Sequence, residues 1–274
     1  MRFAFFRPDD LGKAVRAGTA SQGIREKNTK IAVCVGPIIK LCFHYSMTPR
    51  PEEEALALSL NDDNVRAEYA AEYAAYRPGC VARFLGGLTI GTGNFLYGKT
   101  PSYAKFRALE VIARVPYHSW VSAAYTLLTL GYTDEERAIK LSGITRFARH
   151  AQDNETMHVV VISKIAHEAE HGGTLRHSVI PLFFAFLYFW TSYWLYLLSR
   201  RSALELNYLF EEHAYAQYAE FIDTHTDELR GKPVDSRFLT FYGREAKDRL
   251  EFFQLVRNDE LIHRNRSLEE IVRN

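Results

Sequence analysis

Two short motifs recur in this chain of 274 residues: Glu155-Thr156-Met157-His158 and Glu260-Leu261-Ile262-His263. Residues three apart lie on one face of a helix, so each Glu-x-x-His pair presents a carboxylate and an imidazole side by side. One such pair arises by chance in many helical proteins. Here each pair has a further glutamate on the helix before it: Glu110 in Ala-Leu-Glu-Val-Ile-Ala, and Glu211 in Tyr-Leu-Phe-Glu-Glu-His-Ala. The order Glu, Glu-x-x-His, Glu, Glu-x-x-His along four helices is the ligand set of a ferritin-like di-iron carboxylate bundle. It restricts the fold to an all-α one, a four-helix core that turns six polar side chains inward.

Electrostatics leads to the same expectation. Glu110 stands in a nearly apolar stretch from Ala108 to Ala113, so its side chain is expected to point into the core. Four inward carboxylates are prohibitive unless protonated or neutralised. Two Fe(II) ions bring the four positive charges that balance them. Oxygen and imidazole donors suit iron or manganese, and they offer no thiolate for zinc or an iron–sulfur cluster. The expected metal ligands are Glu110, Glu155, His158, Glu211, Glu260 and His263, around a di-iron centre. A competing motif, His167-Glu168-Ala169-Glu170-His171, has the form of a zinc-peptidase signature. It falls nine residues after His158, directly before Gly172-Gly173, and reads as a charged helix end near the surface.

Helical spacing begins near Pro78 and strand signals almost vanish from there on. Residues 1–75 read as a partly irregular N-terminal arm with a short helix or two, and residues 76–274 as the helical bundle domain with about six long helices. Stops are expected at Gly131, at Gly172-Gly173 and at Gly231-Lys232-Pro233, with Thr133 or Asp134 capping the helix that starts at Glu135. The 34 basic and 33 acidic residues leave a net charge of +1, and mean hydropathy is −0.21. That balance excludes a polytopic membrane protein and gives no surplus of cations for nucleic acid. Cys34, Cys42 and Cys80 contain no CxxC pair and are expected to be buried free thiols. The N-terminus lacks the apolar core and cleavage site of a signal peptide, so no presequence is expected.

The segments Leu96 to Tyr117, Asn154 to His158, Glu211 to Tyr218 and Asn258 to His263 resemble the alternative oxidases. Ala-Arg-Val-Pro-Tyr (Ala113 to Tyr117) and Glu-His-Ala-Tyr-Ala-Gln-Tyr (Glu212 to Tyr218) point to the plastid terminal oxidase branch, which oxidises plastoquinol. The likeness runs from about residue 80 to 265 and does not cover the first 75 residues. It implies a quinol:oxygen oxidoreductase that reduces O2 to water with two quinols, with the six residues above as iron ligands. By the same resemblance Tyr218 matches a redox-active catalytic tyrosine. Its place seven residues, two turns, after Glu211 also puts it near the metal. Asn154 and Asp259, each directly before a ligand glutamate, match positions that orient ligands by hydrogen bonding. Leu109, Lys105 and His213 are the expected quinol-binding residues. His213 stands where mitochondrial alternative oxidases carry a glutamate. Lys105 replaces an arginine and loses its bidentate fork, and it reads equally as a solvated surface charge.

One window contradicts the soluble average. Val179 to Leu198 are 20 residues without a charge, nine of them aromatic, long enough to span a bilayer. Yet Glu155 and His158 precede the window and Glu211 follows it, and all must meet at one metal pair. The window is therefore expected to be the long crossover of the bundle, with an aromatic face outward. Basic residues at both ends (Arg176 and His177, Arg200 and Arg201) and two tryptophans suit a helix lying in one leaflet. Val81 to Leu96 would be a second membrane-facing helix. Burial of both in a homodimer interface is the competing use, and a homodimer is the expected assembly. The reading is a monotopic oxidase on a thylakoid, cytoplasmic or other energy-transducing membrane, using quinol and O2 and pumping no protons. A di-iron monooxygenase acting on a quinone precursor, and a ferritin-like iron store, are the alternatives.

Overall fold

A computed structural model describes residues 50–169 and 175–272, within one compact unit that spans Ser46–Asn274. Cys34, Cys42, Glu170, His171, Gly172, Gly173 and the arm up to residue 49 lie outside the described residues. Two short helices come first: α1 (Pro51–Ser59), with Pro51 in its first turn, and α2 (Asp63–Ala71), capped by the Asp62 carboxylate. Then follow α3 (Cys80–Tyr97), α4 (Tyr103–Ala113), α5 (Val115–Leu130) and α6 (Glu135–Ala169). A π-helical turn at Leu175–Val179 leads into α7 (Ile180–Leu198), α8 (Arg200–Leu229), the short α9 (Arg237–Tyr242) and α10 (Arg249–Val272). No strand occurs among the described residues, and the all-α expectation holds.

Local chemistry sets these boundaries. Pro116 lacks an amide hydrogen, which separates α4 from α5 at Arg114. Asp134 Oδ1 accepts from the Arg137 amide at 3.0 Å and caps α6, so of the two expected caps it is the aspartate that acts. Beyond α8, Gly231 takes φ of +73°, a conformation open to a residue without a Cβ.

The helices α4–α5, α6, α8 and α10 form the bundle, and the polar site lies between two apolar clusters along it. One cluster contains Phe106, Val161, Tyr218, Phe221, Phe253 and Val256; the other contains Tyr117, Trp120, Phe147, Ala151, Tyr196 and Leu204. α6 and α8 contribute buried residues to both, α4 and α10 to the first and α5 to the second, so the polar turns of α6 and α8 are gripped above and below. α10 buries Arg257, Asn258, Asp259, Arg264 and Asn265, which only bonded partners permit. Asn258 Nδ2 donates to Ala57 O at 2.8 Å and Asn265 Nδ2 to Tyr69 O at 2.8 Å, so α1 and the end of α2 cover this helix.

The uncharged window is the crossover between α6 and α8, packed along α5 and touching α4 and α8. α7 buries Pro181, Tyr188, Ser192 and Tyr196, and leaves Leu182, Phe183, Phe186, Trp190 and Trp194 exposed on the other side. Leu175–Leu198 is long and apolar enough to cross a membrane by length and composition. α3 exposes Val81, Phe84, Leu88 and Phe95. Cys80, expected to be buried, is exposed at the first residue of α3, while Ala82 of the same turn is the residue that packs into the core.

Candidate metal centre

All six residues of the double motif converge. Glu110 comes from α4, Glu155 and His158 from α6, Glu211 from α8, and Glu260 and His263 from α10, and each is buried. Their donor atoms form two groups, Glu110–Glu155–His158–Glu260 and Glu155–Glu211–Glu260–His263, within each of which the atoms lie no more than 4.8 Å apart. Glu155 and Glu260 belong to both groups. The arrangement is therefore two adjacent cation positions with two shared carboxylates, each closed by its own glutamate and histidine.

Unsatisfied atoms point the same way. Both oxygens of Glu155 and of Glu260, Glu110 Oε2, and Nδ1 of His158 and His263 are buried without a well-aligned hydrogen bond, their nearest polar neighbours being one another, as where His263 Nδ1 stands 2.8 Å from Glu155 Oε1. A native core rarely leaves buried acceptors unpaired, so the cluster is a set of donors suited to cations. His158 shows the polarity of the site: Nδ1 faces Glu260 at 3.3 Å and Glu155 at 3.5 Å, while Nε2 lies 2.9 Å from Asp259 Oδ2. With Nε2 turned to the aspartate, Nδ1 is the nitrogen that faces the carboxylate cluster, where a bound metal would take its lone pair.

Without cations the charges strain against one another. Burial pushes Glu110 up to about 7 and drives Glu260 well above the usual carboxylate range, with neighbouring carboxylates adding to the effect on both. Burial raises Glu211 as well. Burial also works to raise Glu155, but the His158 and His263 rings outweigh it and draw it down to about 2. Both histidines are held above their ordinary range by the surrounding carboxylates, against burial that opposes their charge.

Asn154 and Asp259 meet each other behind the site, Asn154 Nδ2 donating to Asp259 Oδ2 at 3.1 Å and to Tyr242 Oη at 3.2 Å. Sequence reasoning missed the group that makes Asp259 tolerable. Arg244, 3% exposed, donates through Nη1 and Nη2 to Asp259 and through Nε and Nη2 to Glu54 of α1. Arg244 holds Asp259 far below the usual carboxylate range against the burial that would raise it. Nothing in local spacing marks Arg244, because it lies in the loop after α9 and its partners are 15 and 190 residues away.

Tyr218 Oη donates to Glu110 Oε1, so the tyrosine expected near the metal meets the acid of the opposite helix pair. The sequence signature described as "Alternative oxidase" matches residues 57–269, more than half of the chain and all six of these ligand positions. The chain belongs to the alternative oxidase family. A protein of Arabidopsis thaliana, "Ubiquinol oxidase 4, chloroplastic/chromoplastic", is 28% identical over 141 residues, 52% of this chain and 37% of that protein's length. The match thus spans little more than a third of the curated relative. No solved structure matches the chain.

An apolar cavity of about 410 Å3 opens between α3, α4, α7 and α8 and reaches Glu110, Glu211 and Tyr218. Leu109 and His213 line it, and Lys105 does not. Lys105 is not the solvated charge that was one reading of the sequence: it is 1% exposed. Its Nζ donates to Gln217 Oε1 at 2.5 Å, Lys99 O at 2.9 Å and Asn94 Oδ1 at 3.2 Å. It pins two residues of the cavity wall, Asn94 and Gln217, to the loop between α3 and α4. Burial depresses His213, with the charge of Lys105 adding to the effect, which favours a neutral imidazole at the wall. Of the peptidase-like motif, Glu168 accepts from Arg249 at 2.6 Å on the exposed side of α6, while Glu170 and His171 lie outside the described residues.

Proposed function

We propose that the chain is a non-haem di-iron quinol oxidase that takes two electrons from each of two quinols and reduces O2 to water. The observation that carries this reading is the apolar cavity, which ends at the carboxylates of the ligand cluster and opens on the exposed apolar faces of α3 and α7. Leu88 and Leu187 belong both to the cavity wall and to that outer surface. A lipid-soluble substrate therefore reaches the site from the side where a membrane surface would lie.

Glu110, Glu155, His158, Glu211, Glu260 and His263 would hold the two irons, with Glu155 and Glu260 common to both. Bound there, iron supplies the electron transfer from quinol and the binding and reduction of O2. The protein supplies the rest. The cavity excludes water and orients the ring, His213 as neutral imidazole accepts a proton from a quinol hydroxyl, and Gln217, fixed by Lys105, offers a hydrogen bond to the head-group. Tyr218 Oη stands between cavity and ligands with its hydroxyl hydrogen-bonded to Glu110, placed to hand an electron and a proton inward. Asn154 and Asp259 fix the His158 ring. The head-group is plastoquinol or ubiquinol, and the expected turnover pumps no protons. The outward faces of α3 and α7 rest in one leaflet of an energy-transducing membrane, and the expected assembly is a homodimer.

Oxygen uptake with a short-chain quinol in the presence of cyanide tests the reading. Two quinols consumed per O2, with water as product and no oxygen atom in the quinone, is expected. Incorporation of oxygen into the organic product would replace oxidase with monooxygenase.

A further inference from the structure

Glu110 and Glu211 are each followed at the seventh residue by a tyrosine, Tyr117 and Tyr218. Two helical turns should return each tyrosine to the face of its own glutamate. The structure exchanges them instead. Tyr218 donates to Glu110, while Tyr117 Oη donates to Glu211 Oε1 at 2.7 Å. α8 thus steadies Glu110 of α4 through Tyr218, and α5 steadies Glu211 of α8 through Tyr117.

The two tyrosines differ in their surroundings. Tyr218 lines the substrate cavity, whereas Tyr117 is fully buried and lies outside the cavity wall. The amide nitrogen Nδ2 of Asn207 stands 2.9 Å from Tyr117 Oη, 3.0 Å from Glu211 Oε1 and 3.1 Å from Ser267 Oγ. Ser267 in turn donates to the backbone oxygen of His263 at 2.9 Å. The Tyr117 ring meets the His263 ring edge-on at 5.5 Å and packs against Trp120 and Phe147. Tyr117 therefore touches both residues that belong to one cation position alone, Glu211 and His263, and the described contacts give it no bond to Glu110 or His158.

We infer that Tyr117 is a positioning residue for one of the two metals. By fixing Glu211 Oε1, with Asn207 and Ser267 as its support, it holds the carboxylate and the His263 ring in place for the iron on that side. A hydrogen bond to a ligating carboxylate commonly changes metal affinity by about 10- to 100-fold when removed. The inference rests on the di-iron reading above.

The test is iron release from the full chain, loaded anaerobically with Fe(II), to an excess of a coloured ferrous chelator. Tyr117→Phe keeps the ring packing and removes only the hydroxyl. One iron per chain should leave about tenfold faster than in the wild type while the other leaves at the wild-type rate. Helix content and the melting temperature of the metal-free variant measure folding separately and should stay close to wild type. If Tyr117→Phe does not fold, Asn207→Ala, which withdraws the support without touching the ring, should show the same single fast phase. Release of both irons at the wild-type rate, or an equal acceleration of both, would overturn the inference while leaving the di-iron reading in place. A wild-type chain that takes up no iron would remove both.

Discussion

Among single residues, Glu155 is the most consequential, since it belongs to both cation positions. Glu155→Ala should abolish retention of both irons, and metal content after desalting should fall from two per chain to below about 0.2, a tenfold loss in line with removal of a shared ligand. Arg244 carries a different consequence. Removing it leaves Asp259 buried and negative without its cation, a change that typically costs about 3–5 kcal/mol. Arg244→Gln should therefore lower stability to urea by about that amount, and Asp259→Asn added to it should recover part of the loss; a lone Arg244→Gln as stable as wild type would remove the clamp from the account. Titration gives a further expectation for the metal-free chain. Glu110, Glu211 and Glu260 are raised by burial, so between about pH 4.5 and 7 the folded chain holds protons that the unfolded chain has released. Stability therefore falls as pH rises through that window. The raised histidines act in the same direction above about pH 6.5. Glu155 and Asp259, held low, add their loss only below about pH 4. The metal-free chain should melt higher at pH 5.5 than at pH 7.5, and Fe(II) should reverse that order, because bound cations favour the ionised carboxylates.

Single helices show how far sequence reaches. The convergence of the six glutamates and histidines was legible because helical periodicity fixes which side chains share a face. Asp134 and Pro116 set their boundaries by local chemistry alone. The pairings that complete the site were not legible, because Glu54 with Arg244 and Tyr117 with Glu211 join elements far apart in the chain. Lys105 had both readings open in sequence and is resolved only by the loop that folds over it. Cys80 defeated the usual habit of free thiols because Ala82, not Cys80, takes the buried side of the first turn of α3. α7 was legible as a crossover from connectivity, since its flanking ligands must meet, and the structure gives it one buried and one exposed face. Placing Glu at both Phe186 and Trp190, on the exposed face, should leave folding and iron content unchanged and abolish cosedimentation with anionic lipid vesicles, since charge on that face removes the apolar contact. Unaltered sedimentation would assign the face to another partner.

For the whole molecule, the near-neutral charge and modest hydropathy describe an average that no region follows. The bundle axis concentrates four carboxylates between two aromatic clusters, the outer faces of α3 and α7 are apolar, and a cavity joins the two. The short helices α1 and α2 cover α10, and Glu54 ties α1 to the ligand shell through Arg244, so the family match from residue 57 begins within an element that serves the site. Everything functional in this account depends on two metals in the ligand cluster. Metal analysis by mass spectrometry of the desalted full chain, loaded with Fe(II) under anaerobic conditions, measures that directly. Two irons per chain, lost together in Glu155→Ala, is the result predicted. Many irons per chain, or a single zinc with no iron retained, would contradict it.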